Sequence, residues 1–221
     1  MVFNDIPHFL YTTIIDILSP ARCASCFIFM KDRLPLCHVC IQKIRPIITS
    51  TIKLNKHFQM PVISLSHYEE PIAPLIRAKY YGARHAGKQL AELVWQRTHV
   101  ASLPCDYIIP VPLHWTRYAA RGFNQAAIMA DTLAYLSNKP VLNALYRHKK
   151  TRYQADLDAV GRAHNLAHSF SLAVSQELLN NKHIILVDDL MTTGATLHNA
   201  ARILLVAKPA SITAVVAARV V

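Results

Sequence analysis

No run of about 20 uninterrupted apolar residues occurs in this chain, so a bilayer-spanning helix is not expected. The longest candidates, residues 9–18 and 212–221, are broken by Asp16 and Arg219. No basic region precedes the N-terminal apolar stretch, which argues against a signal peptide, and a cytoplasmic protein is expected. No Gly-x-x-x-x-Gly-Lys-Ser/Thr motif occurs, which argues against a P-loop NTPase. Internal repeats and low-complexity segments are also absent. Carboxylates are scarce: 13 Asp and Glu stand against 24 Lys and Arg in 221 residues, a net charge of +11. The excess is spread over both halves of the chain rather than confined to a tail. It favours a polyanionic partner, either nucleic acid or a phosphorylated ligand.

The most informative stretch is 184–196, Ile-Ile-Leu-Val-Asp-Asp-Leu-Met-Thr-Thr-Gly-Ala-Thr. Four apolar residues end in two carboxylates, Asp188 and Asp189. A loop of Thr192, Thr193 and Gly194 follows, then an apolar helical segment. A buried strand, a tight loop and a helix start offer hydroxyls and backbone N–H groups to an anion. The two carboxylates suit the vicinal hydroxyls of a ribose. Together they point to a sugar-phosphate ligand. A Walker B strand also ends in paired acids, but the P-loop is missing. A receiver domain uses paired aspartates, but it leaves the Thr-Thr-Gly-x-Thr loop unexplained. The plainest alternative is a core strand followed by a Thr-capped helix.

Four of the five cysteines form two C-x2-C pairs, Cys23/Cys26 and Cys37/Cys40. Each pair fits a knuckle that brings two thiolates onto one tetrahedral ion. The stretch is too short to build an apolar core, so a structural zinc would supply the folding energy. Paired disulfides or free thiols are the alternatives. Four thiolates complete the coordination shell, which argues against a catalytic metal. Cys105 stands apart.

Periodicity predicts a helix over 1–18 and the cysteine module over 19–48. A polar linker is expected over 49–61, then a strand over 62–68 and helices over 71–79 and 85–98. Strands are expected over 106–111, 140–146, 169–172, 183–187 and 211–217. Helices are expected over 124–136 and 196–206. Strands separated by helices indicate βα units and a parallel sheet. Lys79 and Tyr80 precede Gly82, and are read either as contacts to a nucleic-acid strand or as a helix end capped by Gly82. Lys149, Lys150 and Arg152 fall in the densest basic run, read either as a solvated surface or as a nucleic-acid contact.

The order of strand, acidic pair and Thr/Gly loop resembles the motif of type I phosphoribosyltransferases that binds 5-phosphoribosyl 1-diphosphate (PRPP). The resemblance implies that Asp188 and Asp189 hold the ribose hydroxyls and act in catalysis. It also implies that Met191, Thr192, Thr193, Gly194, Ala195 and Thr196 surround the 5′-phosphate. Further islands are 76–82 (Ile-Arg-Ala-Lys-Tyr-Tyr-Gly), 110–114 (Pro-Val-Pro-Leu-His) and 121–125 (Arg-Gly-Phe-Asn-Gln). Gln154, Leu157, Arg162 and Asn165 follow at wide spacing. With the cysteine quartet, these identify the chain as similar to the ComF family over residues 19–221.

That resemblance implies an α/β fold: a type I phosphoribosyltransferase-like parallel sheet flanked by helices over 62–221, with a small zinc-ribbon-like module before it. It implies a pyrophosphate loop at 112–117, with His114, Arg117 and Arg121 as anion contacts. Residues 150–165 take the place of a closing lid. The expected ligands are PRPP with Mg²⁺, and a structural Zn²⁺ on Cys23, Cys26, Cys37 and Cys40. The expected role is handling of single-stranded DNA during natural transformation, with DNA-uptake proteins as partners. The alternative is an active phosphoribosyltransferase acting on an unidentified nitrogen acceptor.

Overall fold

The computed structural model describes residues 21–31, 34–45, 49–148 and 169–220. The helix expected over 1–18, the basic residues Lys149, Lys150 and Arg152, and the lid expected over 150–165 lie outside the described residues.

The centre of the fold is a five-stranded sheet in the order β1-β2-β7-β6-β3. Its strands are β1 (Ser50–Lys53), β2 (Gln59–His67), β3 (Tyr107–Pro110), β6 (His183–Met191) and β7 (Ser211–Arg219). Only β1 runs antiparallel, on β2; the other pairings are parallel. Parallel strands are covered on both faces, which explains their nearly unbroken apolar runs. Successive residues of β6 serve two separate cores. Ile185 and Val187 face one layer, with Ile108 of β3 and Val215 of β7. Ile184 and Leu186 face the other, with Ile109 and Val216.

The first layer is filled by helices α3 (His85–Arg97) and α5 (Gln125–Ser137), through Leu90 and Val94 on one and Met129 and Leu133 on the other. Helix α6 (Ala195–Leu205) covers the second through Leu197, Ala200, Ala201 and Leu204. Each such side chain taken out of water contributes about 1.5–3 kcal/mol for the larger aliphatics. Short helices α1 (His38–Gln42), α2 (Ala73–Arg77) and α4 (Trp115–Arg121) complete the set, with a two-stranded ribbon of β4 (Leu145–Arg147) and β5 (Phe170–Leu172).

Three expectations change. The polar linker over 49–61 contains β1 and the first residues of β2, because Thr51 and Ile52 pair across a turn closed by Asn55. The strand expected over 140–146 joins the sheet only around Val141, whose bridge to Ile108 is made by hydrogen bonds of Pro140 and Leu142. A tight turn from Ala144 N–H to Leu142 O then carries the chain away to β4. Residues 115–117, expected within a loop, begin helix α4: His114 caps its start and Gly122, in the left-handed region at φ 74°, ends it.

The cysteine stretch is not a separate bead. Cys23, Leu36, Cys40 and Ile44 are buried in the same core as Leu65, Ile72 and Leu90. Arg97 of α3 also donates to the carbonyl of Ile41 at 3.0 Å. Ser25 donates to Glu70 from the other side.

Candidate functional site

Strand β3 ends at Pro110, paired with Val187, while β6 runs on to Met191 against β7 alone. The strand edge past Val187 is therefore open on the β3 side. Crevices at the carboxyl ends of parallel strands are where open α/β sheets bind ligands. Here the crevice is a cleft of about 210 Å³, lined by Asp188, Asp189, Thr192 and Thr196 together with Arg117, Arg121 and Arg147.

Asp188 accepts a hydrogen bond from the backbone N–H of Asp189 at 2.8 Å. Burial pushes its carboxyl up to about 7, and the neighbouring Asp189 charge adds to the rise, against the opposing pull of that N–H and of Lys79. Asp189 is 13% exposed and ion-paired with Lys79, which is 7% exposed. The expectation that Lys79 meets a nucleic-acid backbone is revised on this contact, because its ammonium is buried on Asp189. Tyr80 stays 63% exposed at the rim, with the Arg121 guanidinium 4.7 Å from its ring centre.

Arg147 was not foreseen as part of the site. Burial lowers its guanidinium from the ordinary arginine range, and Arg117 nearby adds to this while Asp188 opposes it. Gln125 and Asn124 also line the cleft. Both amide atoms of Gln125 and the Nε of Arg147 are buried without a hydrogen-bond partner among the described residues. Asn124 is held fixed: it donates to Val111 O at 2.9 Å and accepts from Ala126 N–H, capping α5. The Arg-Gly-Phe-Asn-Gln island carried this signal, since three of its residues face the cleft. Arg147 lay in the basic run but had no motif of its own.

The Thr/Gly loop is short. Gly194 sits at φ +76°, and a Cβ there would meet Ile52 Cδ1 at 3.1 Å. Thr193 Oγ1 accepts from Ala195 N–H at 3.4 Å. The loop ends at the first turn of α6, whose N–H groups have no helical partner. Thr192 and Thr196 wall the cleft, whereas Met191, Thr193, Gly194 and Ala195 form the loop behind it. His114 is buried and turned to α4, its Nδ1 accepting from Thr116 N–H at 3.3 Å; it is not among the residues that wall the cleft.

In the knuckle, the sulfurs of Cys23, Cys26, Cys37 and Cys40 lie within 4.8 Å of one another. Cys26 and Cys37 are 3.6 Å apart. A tetrahedral ion with sulfur at about 2.3 Å sets sulfur–sulfur separations near 3.8 Å, so the cluster could hold a zinc ion. Burial works against ionising Cys23, yet backbone N–H groups of Cys26, Cys37 and Ser25 outweigh it and bring the thiol down to about 6. One of them, Cys37 N–H, lies 3.3 Å from the sulfur. Burial and the other three thiols push Cys40 up to about 12, so a metal would have to displace its proton.

The phosphoribosyl transferase domain family matches residues 119–220. Competence protein F of Haemophilus influenzae is 37% identical over 151 residues, 65% of this chain and 66% of that protein. DNA utilization protein YhgH of Salmonella typhimurium is 30% identical over 196 residues, 83% of each chain. Competence protein ComFC of Bacillus subtilis is 36% identical over 98 residues, 44% of this chain and 38% of that protein. Among the described residues, no helix is long and apolar enough to cross a membrane. The aligned relatives, the matched domain family and the four-cysteine cluster together mean that this chain belongs to the ComF family, with a phosphoribosyltransferase-type α/β domain.

Proposed function

We propose that the cleft binds PRPP and that the protein serves DNA uptake and use in natural transformation. The observation that carries the first part is the meeting of an acidic pair with three arginines across one cleft. Asp188 and Asp189 are suited to ribose hydroxyls. Thr192, Thr196 and the start of α6 are suited to the 5′-phosphate. Arg117, Arg121 and Arg147 are suited to the diphosphate, whose oxygens match guanidinium forks. Mg²⁺ would arrive with PRPP, chelated by the diphosphate and the ribose hydroxyls. The donor set suits that arrangement, because Asp189 already has a cation in Lys79.

The second part rests on relatives named for competence and DNA utilization. Single-stranded DNA and proteins of the uptake machinery are the partners this role requires, and a cytoplasmic site of action follows from it. The knuckle would carry one structural Zn²⁺ on its four thiolates.

A phosphoribosyltransferase reaction is the alternative, favoured by the three arginines placed to stabilise a departing diphosphate. The bond from C1 to the diphosphate oxygen would break through an oxocarbenium-like state. A nitrogen nucleophile would then bond to C1 and release its proton, while the diphosphate leaves with the bonding electron pair.

Isothermal titration of the purified chain with PRPP and Mg²⁺ tests the binding step. Saturable binding is expected, and no heat change at millimolar PRPP would overturn it. Release of pyrophosphate in the presence of free nucleobases would favour the enzyme; binding without release favours the handling role.

A further inference from the structure

Helix α4 buries none of its residues, although it carries two large rings. Trp115 is 67% and Tyr118 is 52% exposed. Leaving rings in water is unfavourable, and sugar-phosphate binding in the cleft does not use them. Trp115, Tyr118 and Arg121 stand three residues apart, so they form one row along the helix. The row continues onto the 78–81 turn, because the guanidinium of Arg121 lies over the Tyr80 ring. Tyr81, 88% exposed, comes next.

The surroundings are rich in cations. Residues 71–91 hold Arg77, Lys79, Arg84 and Lys88, and residues 107–130 hold Arg117 and Arg121. Arg77, Lys79 and Lys88 are ion-paired with Glu70, Asp189 and Glu92, which leaves Arg84, Arg117 and Arg121 to meet a polyanion. The two segments pack closely at Gly87, where an added Cβ would meet Ile128 Cγ2 at 2.9 Å. Most of these cations are on the surface. Exposed rings that alternate with arginines along a helix are what an unpaired strand requires: bases stack on the rings and phosphates meet the arginines. A duplex hides its base faces and gains only the charge.

We infer that Trp115, Tyr118, Arg121, Tyr80 and Tyr81 form a stacking platform for single-stranded nucleic acid at the mouth of the cleft. The inference deepens the proposed function and rests on its reading of the cleft for one consequence. Arg121 and Tyr80 belong to the cleft wall as well as to the platform, and Arg117, in the same wall, is exposed on the same helix. The same arginines cannot neutralise two polyanions fully, so PRPP and the strand oppose each other. The opposition is reciprocal, as linkage requires.

The test uses the full chain, fluorescent oligothymidylate and oligouridylate, and the variant Trp115→Ala/Tyr118→Ala. Neither ring is part of the cleft wall, so thermal stabilisation by PRPP should be unchanged and also reports that the variant folds. Strand affinity should fall roughly tenfold or more, the loss expected for removing stacked rings. Quenching of tryptophan fluorescence by the strand should fall with it. Tyr81→Ala gives an independent and smaller loss. In the parent, saturating PRPP should weaken strand binding several-fold. Strand affinity unchanged in both variants would overturn the platform, as would equal binding of a duplex. Ring-dependent strand binding with no PRPP binding would keep the platform and sink the cleft reading. PRPP that binds without affecting the strand would overturn the sharing of arginines. A preference between the two oligomers identifies DNA or RNA as the strand.

Discussion

The sulfurs of the knuckle come from residues 23–40, whereas the walls of the cleft come from segments spread between Lys79 and Thr196. In the knuckle, a turn at residues 24–26 and the start of α1 bring the ligands together, and spacing alone shows which residues will meet. In the cleft, only the sheet register brings the parts together: Pro110 stands beside Val187, so the loop after β3 faces the acids after β6. The knuckle gathers like charges that need a cation from outside. The cleft gathers opposite charges and supplies cations of its own, with Lys79 paired directly to Asp189. One site should therefore depend on a metal for its structure, and the other should keep its shape without a ligand.

The largest effect should come from stripping the metal. Cys23→Ser, or chelation of the parent, should release about one zinc per chain and expose residues 21–45 to protease. Because Leu36 and Cys40 share the core with Leu65 and Leu90, the midpoint of global unfolding should fall as well. Metal analysis with limited proteolysis checks both. A folded knuckle without metal would erase the contrast.

Next is Lys79→Met. Breaking a buried ion pair by removing one partner costs about 3–5 kcal/mol. Chemical denaturation should show a loss of that order. Lys79→Arg should recover part of it, since the charge is kept and only the shape changes. A loss below about 1 kcal/mol would mean that the cleft does not depend on its internal cation.

Asp188 gives a smaller, pH-dependent effect. Its carboxyl is raised to about 7 in the fold, against about 3.9 in an unfolded chain. Between those values folding takes up a proton, so this group's contribution to stability is full below about pH 4 and is lost as pH rises toward 7. Asp188→Asn keeps an oxygen for the Asp189 N–H and removes the charge. Its melting temperature should exceed the parent's above pH 7 and converge with it near pH 4. Parallel melting curves across that range would contradict the assignment. Proteolysis within residues 21–45 should respond to pH equally in the parent and in Asp188→Asn, because both carry the same thiolates.

Much of this was legible in the sequence. The apolar run before Asp188, the Thr/Gly loop and the C-x2-C pairs are local, and local chemistry survives folding unchanged. Long periodic helices such as α3 and α5 appeared within a residue or two. What escaped depended on distant partners. β1 is a strand because β2 offers it an edge, not because its four residues alternate strongly. Lys79 read as a surface cation because nothing nearby in sequence marks Asp189, 110 residues away, as its partner. Arg147 joined the cleft only when β4 turned away from the sheet. His114 sits in a motif that suggested an anion contact, yet its ring caps α4. Nothing in the sequence marks Tyr118 as exposed, since aromatic residues are more often core.

The central claim is that the acidic pair at the end of β6 makes the cleft a phosphoribosyl site. Thermal stabilisation by PRPP and Mg²⁺, compared between the parent and Asp188→Ala/Asp189→Ala, tests it most directly. The account predicts a clear upward shift for the parent, none for the double variant, and zinc content unchanged in both. Equal stabilisation of the two chains by PRPP would contradict it.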